Sequence, residues 1–271
     1  VLPFHTKEPS ISLSSPDKQI EVKISAGATV HYSVSFQGKE LIAPSTVSMT
    51  LDGNRVLGKA VVVQNASRRS VDERIQPVVR QKEVFISDHF NELTLTFDGD
   101  HGLVFRAYDD GVAYRFTTTF AGSVTVVSEQ AEFSFAGDHK LFFPEEESFQ
   151  THQERIYKYI PLSQITPKRF ASVPALIDVE GGPKVVITEA DLEDYAGLYL
   201  TGSADSPTRL VGKFPAYPMK EEVKNDRDVP VTERAPYLAK TVGRRAFPWR
   251  VLAIAARDGQ LIESTMIYRL A

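Results

Sequence analysis

The stretch that decides the fold is LTLTFDGDHGLVFRAYDDGVAYRF, residues 93–116. Leu93, Leu95 and Phe97 alternate with polar residues up to the turn sequence Asp-Gly-Asp, and a second turn sequence, Asp-Asp-Gly, separates two further apolar runs. Alternation bounded by Asp-Gly is typical of half-buried antiparallel strands, because tight hairpin turns need residues that accept a positive φ. We therefore predict antiparallel strands here, with Asp110 as a turn residue.

The same period-two pattern continues on both sides of this stretch. It recurs in residues 20–36, in residues 175–187 with Gly181-Gly182-Pro183 as a turn, and in residues 247–254. The predicted fold class is all-β, with two large, mostly antiparallel sheets packed face to face and few, short helices. The predicted core contains these apolar residues: Val34, Phe36, Leu95, Phe105, Tyr114, Phe116, Val186 and Ile187.

Three polar segments interrupt the apolar pattern. Residues 64–81 are rich in charge and predict a long solvated loop, and residues 219–236 predict a mobile loop or a flap that reaches a neighbouring domain. Glu145-Glu146-Glu147 is expected on the surface, because three adjacent side chains do not converge readily on one ion. Arg106 and Arg115 lie inside apolar strands and are expected to be ion-paired or to face outwards.

Composition excludes several classes of function. The formal charge of −4 argues against nucleic acid as a partner, and the absence of cysteine excludes disulfides, thiol catalysis and Cys-ligated zinc. No apolar run reaches the roughly 18 residues of a membrane span, so no such span is expected. The opening residues Val1–Phe4 are too short for a signal peptide, so we expect a mature or trimmed product.

Motifs for common enzyme chemistry are missing. The sequence contains no GxSxG elbow, P-loop, HExxH or dinucleotide-binding glycine fingerprint. The histidines lack metal-ligand spacing and are expected to be surface or hydrogen-bonding residues: His5, His31, His89, His101, His139 and His152.

Four carboxylates follow one short apolar strand within the segment ITEADLEDYAGLYL, residues 187–200. Glu189, Asp191, Glu193 and Asp194 could supply oxygen ligands to a hard cation, although the spacing lacks the glycine of an EF-hand loop. Thr188 followed by Asp191 also matches a helix-capping pattern, in which carboxylates favour the first helical turn. Spacing favours the cap, and both interpretations stay open at this point.

Six segments in the same order resemble the N-terminal domain of glycoside hydrolase family 97, a family of bacterial calcium-dependent α-glucosidases and α-galactosidases. The resemblance extends from about Ser14 to Ala271 and is carried by residues 14–17, 70–73, 91–95, 105–116, 187–200 and 247–250. It implies a single domain over residues 1–271 with a β-supersandwich fold like that of galactose mutarotase. It further implies that the family's catalytic (β/α)₈ barrel and C-terminal β domain are not among residues 1–271.

The resemblance also implies a function. It is that of an exo-acting glycoside hydrolase acting on an oligosaccharide or other α-glycoside, with a retaining α-galactosidase favoured and an α-glucosidase next. Glu189 matches the one calcium ligand that the N-terminal domain supplies, so Ca²⁺ is the expected cofactor and Asp191, Glu193 and Asp194 are expected to be cap and surface residues. No catalytic residue is expected in this chain, because the acid/base and nucleophile belong to the barrel. The implied location is the periplasm or outside the cell.

A different class of function is a freestanding carbohydrate-binding or scaffold module without catalysis. Such a module needs exposed aromatic side chains on which sugar rings can stack. Tyr217, Tyr237 and Trp249 are the candidates, and Trp249 is expected to pack within its strand instead.

Overall fold

The computed structural model describes residues 10–271, and the first nine residues, with the Val1–Phe4 segment and His5, lie outside that range. The described residues form an all-β fold, as predicted. The strands of the first half are β1 (Ser10–Ser14), β2 (Ile20–Ser25), β3 (Val30–Phe36), β4 (Lys39–Leu51), β5 (Val56–Leu57), β6 (Val63–Ile75), β7 (Ile86–Phe97), β8 (His101–Tyr108) and β9 (Gly111–Phe135).

The second half contains shorter strands and the only two α-helices of residues 10–271. Its elements are β10 (Lys140–Phe143), β11 (Glu145–Glu146), β12 (Lys158–Pro161), β13 (Phe170–Ala171), β14 (Ala175–Asp178), β15 (Lys184–Ala190), β16 (Tyr199–Gly202), β17 (Arg209–Lys213), β18 (Pro218–Glu221), β19 (Val231–Arg234), β20 (Ala239–Ala246), β21 (Trp249–Ala255), α1 (Asp258–Glu263) and α2 (Met266–Arg269). Two single 3₁₀ turns, Asp52–Asn54 and Leu162–Gln164, complete the described elements.

Strand β9, 25 residues long, connects the two sheets. Its first part pairs with β8 and β21, in a sheet that continues β6–β7–β8–β9–β21–β15–β14–β10–β12. Its last part pairs with β4 and β17, in a second sheet that runs β1–β2–β3–β4–β9–β17–β16–β13–β11. Every one of these pairings is antiparallel, and β20 pairs with the middle of β9.

The main core lies between the two sheets. Tyr32 on β3 meets Phe105 on β8 and Tyr114 on β9, with ring centroids 6.2 and 5.2 Å apart, so aromatic rings from opposite sheets interlock. Six of the eight predicted core residues are buried. Phe36 is half-buried and packs against this main core, whereas Val186 is half-buried and packs against a second, smaller apolar cluster.

The hairpin turns follow the predicted sequences. Gly99 and Asp100 have positive φ, +79° and +62°, and Gly181 has φ +64° in the turn between β14 and β15. Asp110 lies in the turn between β8 and β9, and its carboxylate accepts a hydrogen bond from Arg269 Nη2 at 2.6 Å. Gly111 cannot carry a side chain, because a Cβ would lie 2.4 Å from the carbonyl oxygen of Leu252.

The predicted loop at residues 64–81 is wrong for most of its length. Residues Val63–Ile75 form β6, the edge strand of the first sheet, which pairs with β7 along its whole length. The side chains are solvated, as the charge predicted, but the backbone hydrogen bonds to β7 hold the segment extended. A charged strand at the edge of a sheet discourages pairing with other chains, so polarity does not exclude a strand here.

Two further expectations about polar segments need correction. The segment predicted as a mobile loop, 219–236, contains an exposed hairpin of β18 and β19. Of the three glutamates expected on the surface, Glu146 is buried, and Arg155 Nε donates to it at 2.7 Å. Glu145 is half-buried and accepts two hydrogen bonds from Arg169, at 2.6 and 2.9 Å, so only Glu147 is free of such pairing in the described contacts.

A smaller apolar cluster covers the outer face of the first sheet. Trp249 is buried there, as expected, and the guanidinium groups of Arg106 and Arg115 lie 4.9 and 4.2 Å from the centroid of its ring. Both arginines are ion-paired, Arg106 with Glu92 and Arg115 with Asp191, which confirms the expectation for arginines inside apolar strands. None of the helices in residues 10–271 is long and apolar enough to cross a membrane.

Candidate functional site

The candidate site is built around Glu189, near the end of β15. Antiparallel pairing places Glu189 directly opposite Arg250 on β21. Residues opposite each other in such a pair bring their side chains within contact distance. The alternation of β15 turns Val185 and Ile187 into the core, and Glu189 lies on the same face, so its carboxylate is drawn towards the interior.

Arg250 joins Glu189 to a second carboxylate, Glu129 on β9. Arg250 Nη1 donates to Glu189 Oε2 at 2.8 Å, while its Nε and Nη2 donate to the two oxygens of Glu129, both at 2.7 Å. Tyr195 Oη donates to Glu129 Oε2 at 3.0 Å. We call Glu129, Glu189, Tyr195 and Arg250 the Glu189 cluster.

The loop after β15 closes over Glu189 from the other side. The backbone N–H of Leu198 donates to Glu189 Oε1 at 2.9 Å, so each carboxylate oxygen accepts one hydrogen bond. Asp191 and Asp194 take positive φ, +57° and +44°, to turn this loop back towards the strand. The 11% exposure of the Glu189 side chain, against 1% for Arg250, leaves this carboxylate the one with most access to solvent among the three charged groups.

The charges of the cluster do not cancel. Two carboxylates share one guanidinium, which leaves a formal charge of −1 when both acids are ionised. Burial raises the pKa of Glu189, and the attraction of Arg250 opposes this shift without reversing it. For Arg250 burial acts to lower the pKa, but Glu129 and Glu189 outweigh it and the pKa is raised, so Arg250 stays charged.

Whether these residues fit a metal ion depends on how many oxygen ligands they offer. Ca²⁺ takes six to eight, and within residues 10–271 no group of three or more His, Cys, Asp or Glu side chains is arranged to hold a metal. Glu189 retains acceptor capacity, since a carboxylate has about four lone-pair positions and two are used. Glu189 therefore fits one position in a shell that other groups complete, and not a site of its own.

The capping interpretation of Asp191 is wrong. No helix begins there, because β15 ends at Ala190 and residues 191–198 form a loop. Asp191 accepts a hydrogen bond from Arg115 Nη1 at 3.0 Å instead. Glu193 and Asp194 are exposed, as expected for surface residues.

Sequence reasoning missed three members of the cluster, Glu129, Tyr195 and Arg250. Arg250 carried a usable signal, since an arginine inside the apolar run of β21 requires a buried counter-charge. Glu129 had none, because it lies in a mixed polar stretch, 60 residues from Glu189 along the chain. β21 pairs with residues 111–114 at the start of β9, whereas Glu129 lies in the last part of β9, which pairs with β4 in the second sheet. The packing of the two sheets against each other therefore brings the two carboxylates together.

The two tyrosines considered as sugar platforms lie close to this site. Tyr217 and Tyr237 stack with ring centroids 5.7 Å apart at the base of the hairpin formed by β18 and β19. Tyr217 lines a surface depression of about 620 Å³, and Tyr195 and Arg234 also line it. The third candidate, Trp249, is buried and unavailable to a sugar ring.

Comparison with known proteins gives a consistent result. A match to the family "Glycosyl-hydrolase 97 N-terminal" covers residues 13–271. The chain is 34% identical over 271 residues to the retaining α-galactosidase of Bacteroides thetaiotaomicron, and 25% identical over 249 residues to a probable retaining α-galactosidase of Streptomyces bingchenggensis. These alignments cover 96% and 89% of this chain, but only 40% and 34% of the two relatives.

Among solved structures, a glycoside hydrolase family 97 enzyme from a Pseudoalteromonas species superposes with a TM-score of 0.82 at 21% identity. The match covers 96% of this chain and 38% of that enzyme. At this identity the likeness shows a shared fold.

Proposed function

Because the chain belongs to the glycosyl-hydrolase 97 N-terminal family, we propose that it acts as the N-terminal domain of a calcium-dependent, exo-acting α-glycosidase. The names of the two relatives favour a retaining α-galactosidase, with an α-glucosidase next. Since the chain spans about 40% of the Bacteroides relative, the proposal assigns the catalytic residues to a part of the full-length protein beyond this chain, the (β/α)₈ barrel that the resemblance implies.

The observation that carries the proposal is the state of Glu189. Its carboxylate is held by two donors, retains free lone pairs, and belongs to a buried cluster with one surplus negative charge. A carboxylate in this state suits one position in a calcium shell completed by oxygens of a neighbouring domain. When bound, Ca²⁺ would bind sugar hydroxyls and stabilise negative charge near the scissile bond.

The residues of this chain would then hold the Glu189 carboxylate in place for Ca²⁺ and would not contact the substrate themselves. Arg250 and the Leu198 N–H hold the Glu189 carboxylate in one orientation, so little order has to be gained when the ion binds. Glycoside hydrolysis usually needs two carboxyl groups flanking one bond, and Glu129 and Glu189 do not meet that need, since Arg250 occupies the space between them. We expect residues 1–271 alone to lack hydrolytic activity.

The test is Glu189→Gln in the full-length enzyme, with Glu193→Gln as the matched control. Glutamine keeps the shape and one acceptor oxygen but removes the charge, so calcium affinity should fall, with turnover partly restored at high calcium. Glu193 is exposed and makes no side-chain contact among the described hydrogen bonds and ion pairs, so its variant should titrate like the parent. Unchanged calcium affinity in Glu189→Gln would remove the metal assignment from this residue.

One observation favours a second function, a carbohydrate-binding module. The stacked pair Tyr217 and Tyr237 stands beside the depression described above, and exposed aromatic faces can stack on sugar rings. Calorimetric titration of the chain with α-galactosides and malto-oligosaccharides tests this alternative. Binding that Tyr217→Ala abolishes would support it, and no measurable binding would remove it.

A further inference from the structure

We propose that Glu129 is a positioning residue for the calcium ligand Glu189, acting through Arg250. The inference rests on the proposed role of Glu189 and adds a residue on a different strand. Glu129 would fix the direction in which Arg250 points and would supply the negative charge that Arg250 does not cancel.

The hydrogen-bond geometry of Arg250 supports the positioning role of Glu129. A guanidinium is planar and its five N–H bonds have fixed directions. Two of them, on Nε and Nη2, engage both oxygens of Glu129 at 2.7 Å, which fixes the plane and rotation of the Arg250 head group. The direction of Nη1 is then determined, and it meets Glu189 Oε2 at 2.8 Å.

Glu129 is itself held in place. Its side chain is 4% exposed, and Tyr195 Oη donates to Oε2. The Arg250 guanidinium also lies 5.0 Å from the Phe214 ring centroid and 5.9 Å from that of Tyr195, so aromatic rings confine it further. These contacts restrict Arg250 without replacing the bidentate pairing to Glu129.

The charge balance of the cluster supports the other role of Glu129, which is to supply the negative charge that Arg250 does not cancel. Without the carboxylate of Glu129, Arg250 would neutralise Glu189 completely, and the buried group would have no surplus charge to attract a cation. A unit charge near a divalent ion in a partly buried site changes binding by more than tenfold, even with an effective dielectric constant of about 20. Glu129→Gln in the full-length enzyme should therefore weaken calcium affinity about tenfold or more.

The matched control is Glu92→Gln. Glu92 is also buried and also hydrogen-bonded to arginines, but on the outer face of the first sheet, and its contacts do not include Glu189. Both variants should lower the melting temperature. A role of Glu129 in folding alone predicts that the two variants bind calcium equally well, whereas positioning predicts that only Glu129→Gln binds it weakly.

The experiment is isothermal titration of calcium into the metal-stripped full-length enzyme and its Glu129→Gln, Glu129→Asp, Glu92→Gln and Glu189→Gln variants, with melting curves of each. We expect weaker binding for Glu129→Gln and Glu189→Gln, intermediate binding for Glu129→Asp, and parental binding for Glu92→Gln. Glu129→Asp keeps the charge and shortens the reach, and it carries the test if Glu129→Gln does not fold.

Two results would overturn the inference, and they are distinguishable. Parental affinity in both Glu129 variants, together with weak binding in Glu189→Gln, removes Glu129 and leaves the proposed function standing. Parental affinity in Glu189→Gln shows that Glu189 does not bind calcium, and the positioning role fails with it.

Discussion

Two clusters of carboxylates and arginines occupy this domain, and they differ in which charge is in excess. In the Glu189 cluster two carboxylates share one guanidinium. In the second, which we call the Glu92 cluster, Glu92 on β7 receives Arg69 from β6 and Arg106 from β8, so one carboxylate has two guanidinium groups. The Glu92 cluster is formed by side chains of neighbouring strands in one sheet, whereas the Glu189 cluster joins side chains from the two sheets.

The pKa values of the two glutamates move in opposite directions. Burial acts to raise the pKa of Glu92, but hydrogen bonds from Arg69 and Arg106 outweigh it, and the pKa is lowered. Burial also raises the pKa of Glu189, and there the single arginine, shared with Glu129, does not reverse the shift. Glu92, with two arginines, is fully satisfied and serves the fold. Glu189 shares one arginine with Glu129 and keeps free lone pairs, as the proposed cation ligand requires.

The largest expected loss in the free energy of unfolding is that of Arg250→Met. Removal of this guanidinium leaves Glu129 and Glu189 buried and facing each other with no counter-charge, and breaking a buried ion pair in this way typically costs about 3–5 kcal/mol. Urea-induced unfolding of the parent and the variant measures the loss. The control is Arg106→Met, which leaves Glu92 paired with Arg69 and should therefore reduce the free energy of unfolding clearly less. Equal losses would show that the excess negative charge of the Glu189 cluster does not affect stability.

A smaller loss is expected for Glu92→Gln. It removes the charge shared by Arg69 and Arg106, and hydrogen bonds to charged groups typically contribute about 1.5–3 kcal/mol. Arg69 is half-exposed and can turn to water, so the loss should lie towards the lower value. Urea-induced unfolding measures this loss of stability. A loss larger than that of Arg250→Met would contradict the expectation that the Glu189 cluster contributes more to stability.

The sequence predicted the strands of both clusters better than the clusters themselves. Alternation and turn residues determine which face of a strand is apolar, so the two-sheet fold followed from local patterns, as Leu95 and Ile187 illustrate. Which sheets face each other depends on contacts far apart in the chain, so the ion pair of Glu129 with Arg250 left no local trace in the sequence. Glu189 was predicted as a metal ligand through resemblance, and this stays a prediction, since the spacing of its segment alone favoured a helix cap that does not exist.

Strand β6 was predicted as a loop because its side chains are polar. Its residues are solvated on all sides, and a local pattern cannot show that the backbone is paired when neither face is apolar. Arg69 demonstrates the point, because this charged residue of the supposed loop is the one that completes the Glu92 cluster.

The pH dependence of stability should separate the two kinds of carboxylate. Glu145 resembles Glu92 in having two cationic partners, and the hydrogen bonds from Arg169, followed by those from Lys158, lower its pKa from 4.5 to about 2. A lowered folded pKa contributes stability that is present above pH 4.5 and is lost as the pH falls towards about 2. Glu145→Gln should therefore reduce the acid sensitivity of the melting temperature in that window.

Glu189 supplies the contrast for this measurement. Its raised pKa means that the folded protein binds the proton more readily than the unfolded chain, so its contribution increases as the pH falls. Glu189→Gln should remove this gain and leave the chain relatively more sensitive to acid. Melting curves between pH 2 and 7 of both variants would contradict the comparison if the two shifts had the same sign.

The smallest loss in the free energy of unfolding is expected for Asp191→Asn, because the Asp191 carboxylate is paired with one partly exposed arginine. Asp191 and Arg115 have side chains 32% and 20% exposed, and pairs of this kind contribute about 0–1 kcal/mol. Asparagine accepts the positive φ of this position, and Arg115 keeps its contact with the ring of Trp249, so the loop and the stack should both persist. Urea unfolding should show a loss below about 1 kcal/mol, and calcium affinity of the full-length enzyme should match the parent. A larger loss would show that the ion pair with Arg115 stabilises the loop more than its exposure indicates. A change in calcium affinity would instead place Asp191 with Glu189 in the proposed cation site.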